Sequence, residues 1–88
     1  CRSTFWMYTL LLDRPARPVV DALGAAGIIS RPIWRPMFEL PAMQGSHSWG
    51  DLPISRHTCT HAISLPCSVD LSQEDQQRVI ETLVNHLR

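Results

Sequence analysis

Lysine is missing from all 88 positions of this chain. Its basic side chains, apart from four histidines, are eight arginines. A guanidinium stays protonated in proteins, so no side chain here can serve as the neutral amine that forms an imine with a carbonyl compound. An excess of either charge is also missing, because the eight arginines meet eight carboxylates. A neutral chain projects no broad positive field to gather phosphate backbones, so nucleic acid is not an expected partner. Long apolar runs are absent too, since Phe5 to Leu12 falls far short of the roughly 20 residues that cross a bilayer. Neither a membrane span nor a signal peptide is expected. Cysteine is sparse and irregularly spaced at Cys1, Cys59 and Cys67, which excludes a disulfide framework and suits a reducing compartment, the cytoplasm. A start at Cys1 instead of methionine raises the expectation of a piece cut from something longer.

What is present suffices for a small folded domain over residues 1–88, with 44% hydrophobic and 18% charged residues. Phe5 to Leu12 is aromatic and β-favouring and stops at Asp13-Arg14-Pro15, which predicts a buried strand and a turn. Val19, Val20, Leu23 and Ala26 recur at helical spacing, with Pro18 in the first turn and Gly27 just past the end, so a helix is predicted from about Ala16 to Ala26. Gly27 to Arg31 resumes an extended run, and Pro32 and Pro36 disfavour helix before them. Arg31 to Gly50 shows neither period and predicts a long ordered loop with one helical turn near Leu40 to Gln44. Asp51 is placed to cap a helix that carries Pro53 in its first turn and Ile54, Thr58 and Cys59 or Ala62 inside, before Ile63-Ser64-Leu65-Pro66 turns extended. Ser72 with Asp75 resembles a capping box, and Val79, Ile80, Leu83, Val84 and Leu87 form one stripe, predicting a helix from Gln73 to about His86.

A crossover helix between the first two strands favours their running parallel, with a short third strand beside or between them. The expected fold is α+β: a small two-layer domain with a short mixed or antiparallel sheet of about three strands and helices on one face.

Four stretches in this order resemble the end of the DegT/DnrJ/EryC1/StrS family of pyridoxal phosphate-dependent aminotransferases, which act mostly on nucleotide-linked keto sugars. They are Trp6-Met7-Tyr8-Thr9-Leu10, Ala26-Gly27-Ile28-Ile29-Ser30-Arg31, Arg31-Pro32-Ile33-Trp34-Arg35-Pro36-Met37, and Ile63-Ser64-Leu65-Pro66-Cys67 followed by Leu71 to Asp75 and Val79-Ile80. Many members carry a histidine after the Pro-Met step, where this chain has Phe38. The resemblance implies a C-terminal small domain that helps to close the active-site cleft and makes subunit or substrate contacts. The cofactor, pyridoxal phosphate, and its lysine would belong to a large domain that these residues do not include, so no catalytic residue carries over and no activity is expected of this chain alone. The alternative is a free-standing binding or oligomerisation module derived from such a domain.

Arg31 and Arg35 flank Trp34 in a proline-stiffened segment, where a guanidinium fork suits a phosphate or carboxylate. These three residues are the candidate substrate-binding set, against the plainer reading of a solvated arginine covering an indole. His57, Cys59 and His61 form an H-x-C-x-H string, but in a helix Cys59 points away from the two histidines, and Cys67 or His47 would have to complete a zinc site. No metal is therefore assigned. Ser55 or Cys59 beside these histidines suggests a hydrolase nucleophile only generically, since no third group orients the base. Trp34, Met37, Phe38, Leu40 and Met43 crowd one loop, which predicts either core beneath the loop or a patch covered by the large domain or by a second subunit in a C2 dimer.

Overall fold

A computed structural model describes residues 1–47 and 50–88; Ser48 and Trp49, at the end of the expected long loop, lie outside the described residues. The elements run β1 (Tyr8–Leu11), α1 (Ala16–Ala25), β2 (Arg31–Pro32), α2 (Pro53–His61), β3 (Ala62–Leu65) and α3 (Gln73–Leu87), with two 3-10 turns at Met37–Glu39 and Pro41–Met43. Strand β3 lies between β1 and β2 and is antiparallel to both. The two strands joined by α1 therefore run in the same direction without touching, and β3 fills the gap. This is a small two-layer α+β arrangement whose sheet is antiparallel.

Helix α1 ends where the sequence places its stop. Gly27 takes φ 76°, a conformation that costs a side-chain-bearing residue, and this lets the Ile28 and Gly27 amides donate back to the carbonyls of Leu23 and Gly24 at 2.9 Å each. That closure carries Ile28 under Leu23, and both are buried. Arg78 of α3 then donates to the Ala26 carbonyl, joining the two helices at the negative end of α1.

The core forms between α1, α3 and one sheet face. It contains Leu12, Ala16, Val19, Leu23, Ile28, Ile63, Val79 and Leu83, with Leu10, Leu65 and Leu87 packed against it. Helix α3 is started by the Ser72 hydroxyl, which accepts the Asp75 amide at 3.0 Å and donates to the Asp75 carboxylate at 2.7 Å. Replacing Ser72 by alanine leaves that amide without its partner and is expected to cost about 1 kcal/mol. A urea titration followed at the helical signal checks this, and an unchanged midpoint would contradict it.

Two expectations change in detail. The first strand is shorter than Phe5 to Leu12 and largely exposed, because it stands at the sheet edge and turns only alternate side chains towards the helices. Leu10 and Leu12 face inwards, whereas Leu11 is 61% exposed. Helix α2 is preceded by Leu52 at φ 47°, with no side-chain cap; the Asp51 carbonyl instead accepts Nε of Arg56 at 2.9 Å. No residue of α2 is buried, and the expected inner-face Ile54 is 81% exposed. Among the described residues no helix is long and apolar enough to cross a membrane.

Candidate functional site

The register dictates what the sheet presents on the side away from α1 and α3. Thr9, Ser64 and Arg31 are direct cross-strand neighbours, and Leu11 faces Ala62. The next row is closed by the Ile33 amide donating to the Ala62 carbonyl at 3.2 Å. Small residues thus sit on the central strand and larger ones on the two edges, and Ala62 and Ser64 are buried. Thr9 Oγ1 and Ser64 Oγ lie 3.5 Å apart in the polar row, with Arg31 at its end.

Segments from the two opposite sheet edges are drawn together by an indole pair. Trp6 precedes β1 and Trp34 follows β2, yet their rings meet at 5.7 Å between centroids with 37° between planes, within the range for favourable offset or tilted aromatic pairs. Both indoles stay open to solvent, at 71% and 70% exposure. Each is held through its main chain by a thiol: Cys67 donates to the Trp6 carbonyl at 3.4 Å and Cys59 to that of Trp34 at 3.5 Å. Arg31 and Arg35 are exposed beside this pair. Among the described residues neither guanidinium has a carboxylate partner, since the ion pairs found join Arg14 to Asp13, Arg17 to Asp21 and Arg56 to Glu39. The structure therefore places Trp34 against Trp6 and leaves Arg31 and Arg35 with available donors, but brings the two arginines to no shared partner.

A second feature was not visible in the sequence. Arg56 of α2 lies 4.4 Å over the Phe38 ring, with Glu39 at 3.9 Å and the Asp51 carbonyl on its Nε. Together with Met37, Met43 and His47 it borders an open concavity of about 560 Å³. The Phe38 ring serves as the face on which this arginine rests. The partners come from separate segments of the chain, so no spacing rule could have connected them.

The H-x-C-x-H string does not converge. His57 and His61 stack ring on ring at 4.1 Å, and His61 Nδ1 faces the Thr60 hydroxyl at 2.7 Å and the His57 carbonyl at 3.0 Å. Cys59 turns instead to Trp34. Among the described residues no three His, Cys, Asp or Glu side chains gather in a way that could hold a metal ion. The thiol–imidazole contact that a cysteine nucleophile needs is likewise not formed at Cys59, whose donor is engaged elsewhere.

Comparison with known proteins gives one consistent result. The family model of the DegT/DnrJ/EryC1/StrS aminotransferase family matches residues 2–84. GDP-perosamine synthase from Caulobacter vibrioides is 34% identical over 87 residues, which is 93% of this chain and 23% of that protein. The putative pyridoxal phosphate-dependent aminotransferase EpsN of Bacillus subtilis is 30% identical over 88 residues, again 23% of its length. A crystal structure of a DegT DnrJ EryC1 StrS aminotransferase from Brucella abortus superposes with a TM-score of 0.83 at 26% identity, covering 97% of this chain and 23% of that one. The chain thus spans about a quarter of the length of the relatives it matches.

Proposed function

This chain belongs to the DegT/DnrJ/EryC1/StrS aminotransferase family, and we propose that it serves as the C-terminal small domain of an enzyme that transfers an amino group to a nucleotide-linked keto sugar. Two relatives carry names that fit this: one makes a GDP-linked sugar, and the other is described as a pyridoxal phosphate-dependent aminotransferase.

The observation that carries the reading is surface that a self-sufficient domain would not leave open. A compact monomer of 10.0 kDa exposes about 5,200 Å². This chain exposes 7285 Å², about 2,000 Å² more, on the scale of a large permanent interface. Its radius of gyration of 15.3 Å likewise exceeds the about 12 Å of a compact domain of this length. Phe5, Trp6, Leu11 and Trp34 in and near β1 and β2 contribute to the excess, as do Met37 of the first 3-10 turn and Ile54 of α2. In the proposed enzyme the large domain or a second subunit covers this surface, and movement of the small domain closes the cleft.

The chain's own residues do not fit pyridoxal phosphate as a covalently held group, because no lysine is available to bind its aldehyde. The amine must come from the large domain, and the residues here can only position. Arg31, Trp34 and Arg35 are the proposed substrate contacts, with a guanidinium donating to the oxygens of a sugar-linked phosphate and an indole giving a flat apolar wall. The cysteines are free, consistent with a cytoplasmic enzyme.

A chimera tests the assignment. The matching segment of the Caulobacter synthase is replaced by these 88 residues, and amino transfer to its nucleotide sugar is measured. The chimera is expected to be active. Arg31→Ala in it should raise KM by about 10- to 100-fold, the worth of one charge-assisted hydrogen bond, with little change in kcat. An unchanged KM would remove Arg31 from the substrate site, and a folded chimera without activity would remove the reading.

A further inference from the structure

We propose that the Trp6–Trp34 pair is a stacking platform for a nucleobase, so that this chain binds the nucleoside diphosphate part of the substrate and favours a purine carrier. The proposal rests on the reading of Arg31, Trp34 and Arg35 as substrate contacts. It adds Trp6 to them and says which part of the substrate they meet.

The site is graded in polarity from one end to the other. At one end an open concavity of about 630 Å³ borders Trp6, with Phe5 and Val69 also in its wall, and none of the residues lining it is acidic or basic. In the middle the two indoles meet at 5.7 Å between centroids and leave most of both rings open. At the other end Arg35 adjoins Trp34 and Arg31 precedes it in the same segment, both exposed and neither paired with a carboxylate among the described residues. A ligand that matches this order is flat and uncharged at one end and anionic at the other. A nucleoside diphosphate is such a molecule: its base has a π-face for the indoles, and its phosphates accept from the guanidinium forks. Inorganic phosphate would use the arginines alone, and a purely apolar ligand the rings alone.

The platform is already assembled. The Trp6 carbonyl accepts from Cys67 and the Trp34 carbonyl from Cys59, so the main chain behind each ring is tied to a different part of the fold, one just after β3 and one in α2. A base that stacks here does not have to order the two rings first, and that ordering is a cost that otherwise reduces affinity.

The same geometry limits selectivity. An indole offers a π-face and one N–H donor but no acceptor, so the pair cannot read the donor and acceptor pattern of a base edge. Preference then follows stacking strength, which places purines above pyrimidines and leaves guanine and adenine alike. In the proposed enzyme the base lies between the indoles and the large domain, and the keto sugar extends past the arginines towards the lysine.

The test titrates the unaltered 88-residue chain with GDP, ADP, UDP and pyrophosphate, and follows the indole N–H signals of Trp6 and Trp34 by nuclear magnetic resonance. GDP and ADP should shift both signals saturably with similar affinity, UDP should bind more weakly, and pyrophosphate should leave both indoles unmoved. Trp6→Ala should weaken GDP by about tenfold, the worth of one base–aromatic stack, whereas Trp6→Phe keeps a ring and should weaken it less. Indole signals that GDP leaves in place up to millimolar concentration overturn the proposal, and the pair is then a surface for the large domain only. A pyrophosphate affinity equal to that of GDP also overturns it. Failure of the underlying reading looks different. An Arg31→Ala chain that keeps its GDP affinity while GDP still shifts the indoles removes the arginine, whereas a Trp6→Ala chain that keeps it while Arg31→Ala loses it removes the base from the indoles. Trp6 lies outside the core cluster, so its alanine variant should retain the dichroism of the unaltered chain. Should it not fold, the four ligands on the unaltered chain decide.

Discussion

Replacing Ile63 by alanine is expected to abolish cooperative folding of the isolated chain. Ile63 is fully buried at the middle of the central strand and belongs to the cluster that includes Val19 and Leu23 from α1 and Val79 and Leu83 from α3. Truncating a buried isoleucine to alanine costs about 2–5 kcal/mol, since the lost contacts are compounded by a cavity that neighbours fill only in part. At roughly 0.05–0.15 kcal/mol per residue a chain of 88 residues has about 4–13 kcal/mol in total, and this one, which buries few side chains completely, belongs at the low end. Leu23→Ala should behave alike, because Leu23 anchors both the core and the turn that ends α1. The loss of a sigmoidal thermal transition in circular dichroism is the readout. Ile54→Ala is the control: its side chain is solvent-facing on α2, and the midpoint should move by no more than about 0.5 kcal/mol equivalent. An Ile63→Ala chain that melts like the unaltered one would show that the core is assigned to the wrong residues.

How far the sequence reveals the molecule depends on whether a feature is local. Helix α3 is legible because its start signal, Ser72 and Asp75, and its apolar stripe lie within one short stretch from Ser72 to Leu87, and the observed bounds Gln73–Leu87 differ from the expected ones by a single residue. The end of α1 is legible for the same reason, since Gly27 supplies the left-handed turn at its own position. Strand β1 is legible as a strand but not as an exposed one. Apolar composition alone cannot distinguish a strand buried in its own domain from an edge strand whose apolar side chains remain uncovered, and Tyr8 and Leu11 are of the second kind. Strand β2 is limited to Arg31–Pro32, and the missing N–H of Pro32 falls on its outer side, where it takes nothing from the pairing with β3.

The candidate site divides along the same line. Trp34 between two arginines can be seen in the sequence. Its partner Trp6 cannot, because the contact joins residues on opposite edges of a sheet whose strand order is set by long-range packing. Arg56 over Phe38 escapes for the same reason. The H-x-C-x-H string shows the converse error, a local pattern that invites chemistry which the backbone then disperses: its histidines stack on each other while Cys59 reaches a carbonyl outside the helix.

The second large effect concerns catalysis itself. In the proposed reading the imine-forming lysine lies outside this lysine-free chain, so the chain on its own should give background turnover and not merely a lowered rate. Saturating cofactor cannot compensate, because what is missing is the side chain that would hold and activate it. In the proposed enzyme a lysine-bearing large domain supplies the chemistry, so these 88 residues should be inactive without it.

The most direct measurement incubates the purified chain with pyridoxal phosphate, an amino donor and a nucleotide-linked keto sugar, and follows the aminated sugar by mass spectrometry. The predicted result is product at the level of cofactor alone, rising only when the 88 residues are joined to a lysine-bearing large domain. Enzymatic turnover by the chain unaided would contradict the assignment of these residues to a positioning role.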